Sequence, residues 1–337
     1  MKPLKAILRS GPGAALAGAS LLALAFAAYW YIAILKPYTT ESITFGTNVV
    51  EGTTNDEPID VKARLFIPKN AQFPLPAMII MPSSSGVEDV REVYYADQLT
   101  RAGIAALIVD SYAARGLEDS VYDQSAIDVW DMENDAIAAL AKLAKDPRIK
   151  ADRIAIMGVS KGGTTAMNSA FTSRRRWTGV RDIAFAAHVA ISPDCTWTMR
   201  RASTTGAPIM FLLAELDDQT PSQPCLVLAD RIRKAGNQQV EAKMYKGAHH
   251  AWEELGWRPV YDARAENYAQ CRVWVEEDGR MISADTGALV PEDDWHSWAK
   301  NNCMTLGATC CGGSRRNRNA ATQDIIGFLR RHGFQLK

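Results

Sequence analysis

Gly158-Val159-Ser160-Lys161-Gly162 sets a serine between two glycines in the spacing G-x-S-x-G. A serine hydroxyl is a weak nucleophile until a neighbouring base takes its proton, and the base must be oriented by a third group. The chain supplies candidates in the order serine, acid, histidine. Asp217 follows the apolar run Ile209 to Leu213, and His250 follows the run ending at Tyr245. Each has a neighbour of the same chemistry: Asp218 and Glu215 beside Asp217, and His249 beside His250. A carbonyl under attack also needs two donors aimed at its developing oxyanion. The backbone N–H of Lys161 is one candidate. Ser84, in the small-residue turn Pro82-Ser83-Ser84-Ser85-Gly86, is the other.

These residues need elements to hold them. Ile154 to Met157 reads as a strand covered on both faces, followed by a tight turn and a helix. Glycine, lacking Cβ, permits the sharp turn and the close approach of strand to helix. Ala77 to Met81, Ile104 to Val109, Ala184 to Ile191, Ile209 to Leu213 and Val240 to Tyr245 read as further strands. Helices are expected over Val90 to Arg101, Ala136 to Ala144 and Asp324 to Arg330. Glu41 to Val50 and Ile59 to Ile67 read as an antiparallel pair ahead of them. Alternating strands and helices imply an α/β fold with a mostly parallel sheet and helices on both faces. Ser160, Asp217 and His250 would then all sit at carboxyl ends of strands, where such sheets build their sites. That chain order is the one expected of the α/β-hydrolase fold. His188, mid-strand, reads as a core histidine.

Residues 251–320 break the rhythm. This stretch holds Trp252, Trp257, Trp274, Trp295 and Trp298 and four of the chain's six cysteines. It reads as a Cys- and Trp-rich, cap-like insertion in a domain covering 41–337, since so long a loop with so many aromatics is neither a simple connection nor disordered.

The first residues stand apart. Lys2, Lys5 and Arg9 lie in a segment 1–13, ahead of an uncharged run from Ala14 to Leu35. As a helix that run would reach about 33 Å, enough to cross a bilayer core of about 30 Å. Ala25-Phe26-Ala27 resembles a signal cleavage site, but the apolar run continues past it. A transmembrane signal anchor over 14–35 is therefore expected, with 1–13 cytoplasmic and the remainder extracytoplasmic, periplasmic in a Gram-negative cell. All six cysteines (Cys195, Cys225, Cys271, Cys303, Cys310 and Cys311) lie beyond the run. An even number in an exported chain suggests disulfides, with the pairing open, and the spacings match no common zinc ligand set. Lys+Arg and Asp+Glu both count 38. That balance supplies no global field for nucleic acid, and no metal or organic cofactor is implied.

The flanks of the candidate residues resemble a known family. Asp110-Ser111-Tyr112 with Arg115-Gly116 is similar to the D-S-F-x-x-R-G segment of dienelactone hydrolase-like proteins. Ala214-Glu215-Leu216-Asp217-Asp218-Gln219-Thr220-Pro221 resembles their acid loop, and Tyr245 to Trp252 their histidine loop Y-P-G-A-x-H-x-F. The resemblance spans about residues 55 to 252 and the final helix. It selects Asp217 over Asp218 and His250 over His249. Arg115 is a candidate to orient a substrate carboxylate, with an ion pair to an acidic neighbour as the equal alternative. The namesake enzymes use a cysteine where this chain has Ser160, and the PSSSG turn lacks the histidine and leading glycine common in relatives. The expectation is a membrane-anchored serine hydrolase of carboxylic esters or lactones. An acyltransferase, a peptidase of the prolyl-oligopeptidase type and a non-catalytic binding protein on the same scaffold are the alternatives.

Overall fold

Runs of consecutive apolar strand residues must be covered on both sides, and such runs form the centre of this molecule. The computed structural model describes residues 36–47, 59–69, 71–177 and 183–334. In chain order the strands are β1 (Tyr38–Gly46), β2 (Asp60–Pro68), β3 (Leu75–Met81), β4 (Ala105–Asp110), β5 (Ile149–Val159), β6 (His188–Ile191), β7 (Trp197–Met199), β8 (Ile209–Ala214) and β9 (Val240–Tyr245). All but β7 form one 8-stranded sheet in the order β1-β2-β4-β3-β5-β6-β8-β9. β1, β2 and β4 pair antiparallel, and β4 through β9 are parallel.

The helices are α1 (Tyr94–Arg101), α2 (Val129–Leu143), α3 (Lys161–Asn168), α4 (Thr172–Trp177), α5 (Ser222–Lys234), α6 (Trp295–Asn302) and α7 (Arg315–Arg331). Successive strand residues point to opposite faces, so β3 feeds two cores. Met78 and Ile80 meet Tyr95 and Leu99 of α1 and Phe328 and Leu329 of α7. Ile79 and Met81 meet Met132, Ile137 and Leu140 of α2. Each such side chain contributes about 1.5–3 kcal/mol by leaving water.

The insertion is built of short strands. β10 (Val260–Asn267) pairs antiparallel with β14 (Thr305–Cys310). β11 (Val273–Val275), β12 (Met281–Ser283) and β13 (Leu289–Val290) form a second sheet that takes in β7 from the main body, in the order β13-β12-β11-β7. The insertion is thus tied into the loop that follows β6.

Its expected limits shift at both ends. Trp252 is fully buried in the main core against Tyr245, with ring centroids 5.2 Å apart. Residues 315–320 already belong to α7, whose N-cap Ser314 accepts a hydrogen bond from Asn317 N. That polar first turn carries no apolar stripe, which is why periodicity reaches back only to Asp324.

Disulfides join Cys195 to Cys225 and Cys271 to Cys303, while Cys310 and Cys311 are free thiols. The expected transmembrane span 14–35 lies outside the described residues. Among the described residues no helix is long and apolar enough to cross a membrane.

Candidate active site

The turn after β5 is as tight as its glycines demand. A Cβ on Gly158 would stand 2.3 Å from the Gly162 backbone, and one on Gly162 would stand 2.3 Å from Met81 O. Ser160, at φ 55° and ψ −119°, occupies a conformation that side-chain-bearing residues rarely adopt. Such strain costs on the order of 1–3 kcal/mol and persists only where the surroundings impose it. Here β5, β3 and α3 pinch the turn and lift the serine above the sheet.

The structure brings Ser160, Asp217 and His250 together from the ends of β5, β8 and β9. His250 Nε2 lies 2.9 Å from Ser160 Oγ. On its other side, Nδ1 lies 3.0 Å from Asp217 Oδ2 and 3.1 Å from Oδ1. With Nδ1–H donating to the carboxylate, Nε2 is left to accept the serine hydroxyl. The backbone fixes the carboxylate in turn: Thr220 N and Gln219 N donate to Oδ1 at 2.8 and 3.1 Å.

Burial alone would lower the His250 pKa, but the Asp217 charge and hydrogen bond outweigh it, so the value ends above the ordinary 6.5. Burial raises Asp217, and His250 together with the Thr220 N–H brings it below its ordinary 3.8. The neighbouring candidates point elsewhere. Asp218 is exposed and caps Thr309 N, and Glu215 accepts from Gly247 N, while among the described residues the buried His249 Nδ1 has no hydrogen-bond partner.

Thr220 is a residue that sequence reasoning passed over. Its hydroxyl lies 3.0 Å from Asp217 Oδ2, 3.0 Å from His250 Nδ1 and 3.0 Å from Ser192 O. The signal was present in the acid loop, where a hydroxyl three residues after the aspartate reaches back to it.

Ser84 and Lys161 flank Ser160 in the same cleft. Lys161 opens α3, where backbone N–H groups have no intrahelical acceptor. Among the described residues neither its N–H nor that of Ser84 is engaged. The two therefore have the chemistry of an oxyanion pocket. The Lys161 side chain does something the sequence did not suggest. Its Nζ turns down to Ser120 Oγ, Gln124 O and Ile127 O at 3.1, 2.9 and 2.8 Å, with burial lowering its pKa to about 8.

Arg115 corrects an expectation. It makes a two-pronged pair with Asp135 at 2.8 and 3.2 Å, donates to Ser111 O, and does not line the cleft. Asp135 is fully buried in the middle of α2, where its charge needs a partner, so the guanidinium is spent on the fold. His188 is a core residue as expected, its Nδ1 near Ala166 O and its pKa brought down to about 4 by burial.

The loop carrying Ser84 is locked to the histidine loop by a buried cation. Arg91 bonds Glu92 and Glu254, each at 2.7 Å, and also Ser85 Oγ at 2.8 Å and Gly86 O at 3.2 Å. Cys311 N donates to His250 O at 2.7 Å, so the end of the insertion braces the histidine from behind.

Ser160 opens into a cleft of about 1040 Å³ between the sheet and the insertion. Trp197, Tyr268 and Trp295 line it, with Asp128, Asp194 and Glu266. Asp123, Glu266 and His296 bring donor atoms within 4.8 Å of one another, the metal-like grouping among the described residues. Glu266 there is already engaged by Gln124 N, Tyr268 Oη and His296 Nε2.

The model of the Dienelactone hydrolase family matches residues 61–276. A relative from Bradyrhizobium sp, named "Probable 2-oxo-3-(5-oxofuran-2-ylidene)propanoate lactonase", is 27% identical over 208 residues, covering 57% of this chain and 81% of its own. A solved structure from Klebsiella pneumoniae subsp. pneumoniae MGH 78578, described as "Putative Dienelactone Hydrolase", superposes with a TM-score of 0.52 at 15% identity. It covers 87% of this chain and 99% of its own. That second likeness concerns the fold: an α/β-hydrolase-like, mostly parallel sheet flanked by helices.

Proposed function

The chain belongs to the dienelactone hydrolase family, hydrolases of lactones or esters, and from that premise we propose that it works as a serine hydrolase through Ser160, His250 and Asp217. The observation that carries the reading is the unbroken hydrogen-bond path from Ser160 Oγ through the His250 ring to Asp217. Ser160 Oγ attacks the carbonyl carbon as His250 Nε2 takes its proton. The carbonyl oxygen, now negative, is held by the N–H groups of Ser84 and Lys161. His250 passes the proton to the departing alcohol, or to the ring oxygen of a lactone. Water, deprotonated by the same imidazole, then releases the acid and restores Ser160. Asp217 keeps the imidazole in the tautomer that accepts from serine and stabilises its cation.

The lactonase name of the Bradyrhizobium relative supports lactones among the substrates. The uncharged run Ala14 to Leu35 and the two disulfides support a membrane-anchored protein whose hydrolase domain faces an oxidising, extracytoplasmic compartment.

Ser160→Ala tests the reading. The variant is expected to lose turnover of p-nitrophenyl butyrate and labelling by a fluorophosphonate probe, with its thermal transition unchanged. Labelling that persists in the variant would remove Ser160 from the mechanism.

A further inference from the structure

The whole chain is balanced, with 38 basic and 38 acidic residues. The wall of the Ser160 cleft is not. Its carboxylates include Asp128, Asp131, Asp194 and Glu266, and the exposed acidic run Glu292–Asp294 also lines it. The lysine and arginine that line it are Lys161 and Arg174. Neither offers its charge to a ligand. Lys161 donates to two carbonyls and a hydroxyl below the floor. Arg174 is paired with buried Glu133 through Nε at 2.8 Å and through Nη2.

The apolar part of the wall is aromatic. Trp197 and Trp295 meet edge to face with centroids 5.3 Å apart, and Tyr268 adjoins Trp295 at 5.8 Å. The cleft already holds one cation over a ring, since the Arg174 guanidinium lies 3.1 Å from the Trp130 centroid.

Asp194 is tied to the helix that opens at the serine turn. Its N–H donates to Thr164 Oγ1 on α3, and Oδ1 accepts from Thr196 N and Oγ1 at 2.8 and 2.7 Å. Among the described residues Oδ2 has no hydrogen-bond donor, and it belongs to a residue lining the cleft. Aromatic rings and an excess of carboxylates lining one cleft attract the same kind of group, a weakly hydrated cation. A carboxylate-bearing substrate would meet the opposite field.

We propose that, among the esters and lactones open to this site, it favours those carrying an ammonium group, held by the acidic, Trp-lined wall while Ser160 attacks the carbonyl. The proposal rests on the reading of Ser160 as nucleophile. Its test separates the two. Butyrylcholine and its uncharged isostere 3,3-dimethylbutyl butyrate differ only in nitrogen for carbon, so their kcat/KM ratio, divided by the ratio of their hydroxide-catalysed hydrolysis rates, reads the wall and not the intrinsic reactivity of the ester. The full chain is expected to favour the choline ester by about tenfold or more, the range of a desolvated cation–ring contact. The ratio should shrink between low salt and about 0.5 M salt, as screening demands. Tetramethylammonium should compete with p-nitrophenyl butyrate.

Asp194→Asn is expected to lower the kcat/KM ratio. The surface triple variant Glu292→Gln, Asp293→Asn, Asp294→Asn should do the same by reducing the salt-sensitive part. A ratio near one in the wild-type chain, with no competition by tetramethylammonium, overturns the proposal and leaves the hydrolase standing if the neutral esters are cleaved. Failure to cleave any of these esters sinks the hydrolase reading and this proposal with it.

Discussion

Asp217→Asn separates orientation from mere presence of a polar group beside His250. The Asp217 side chain is completely buried. Its Oδ1 is held by two backbone donors, Thr220 N at 2.8 Å and Gln219 N at 3.1 Å. An asparagine keeps one acceptor, and those two N–H groups claim it. The amide NH2 is then turned to the Oδ2 position, facing His250 Nδ1 and Thr220 Oγ1. Nδ1 must accept, so the ring proton moves to Nε2 and points at Ser160 Oγ. The serine loses its base while every heavy atom stays in place.

A wrong tautomer of this kind costs about 10⁴ in kcat, or about 5 kcal/mol of transition-state stabilisation. Stability should change far less, by about 1–2 kcal/mol, the difference between charged and neutral acceptors for two N–H groups. The assay is kcat/KM on p-nitrophenyl butyrate with a thermal melt on the same sample. The acid limb of the residual activity should move below 6.5, since burial then acts on the imidazole without its counter-charge. An asparagine variant that melts normally and keeps activity within about tenfold of wild type would refute the argument.

Other outcomes follow from the same geometry. In the wild-type chain the acid limb of kcat/KM should lie above 6.5, because attack needs neutral imidazole and Asp217 favours the charged form. Stability carries the matching signs: the raised His250 value stabilises below the unfolded imidazole value and fades as pH rises through the folded one, whereas the depressed Asp217 value stabilises above 3.8 and fades on acidification. Urea titration across that range checks both limbs. Arg91→Met leaves Glu92 buried without its partner and is expected to cost about 3–5 kcal/mol in chemical denaturation. Arg115→Ala should lower stability by about 3 kcal/mol, through unpaired Asp135, and leave KM unaltered, whereas a substrate clamp would show a raised KM at normal stability.

Much of this fold is written locally. The runs AMIIM, IAALIV and IAIM are apolar at consecutive positions because both faces of a central strand are covered, and β3, β4 and β5 appear where those runs stand. The polar start of α7 was invisible to periodicity, because Arg315 to Ala320 present no apolar stripe and a cap at Ser314 does the work instead. Thr220 was legible as part of a motif, but its contacts to both Asp217 and His250 depend on how two loops from different strands meet.

What the amino-acid sequence determined by itself is the chemistry on offer and the strands that carry it. Ser160, Asp217 and His250 each follow a strand in a parallel sheet, and a parallel sheet brings strand ends to one edge whatever lies between them. What only the tertiary structure decided is where the charges go. Arg115 had the right type and the right motif for a substrate clamp, and lost the role to a carboxylate 20 residues on that folding buries beside it. Asp128, Asp194 and Glu266 are scattered along a chain of zero net charge, and folding gathers them into the lining of one cleft. Spacing along a chain records which groups exist; desolvation, set by packing from distant segments, decides which are paired off and which remain to meet a substrate.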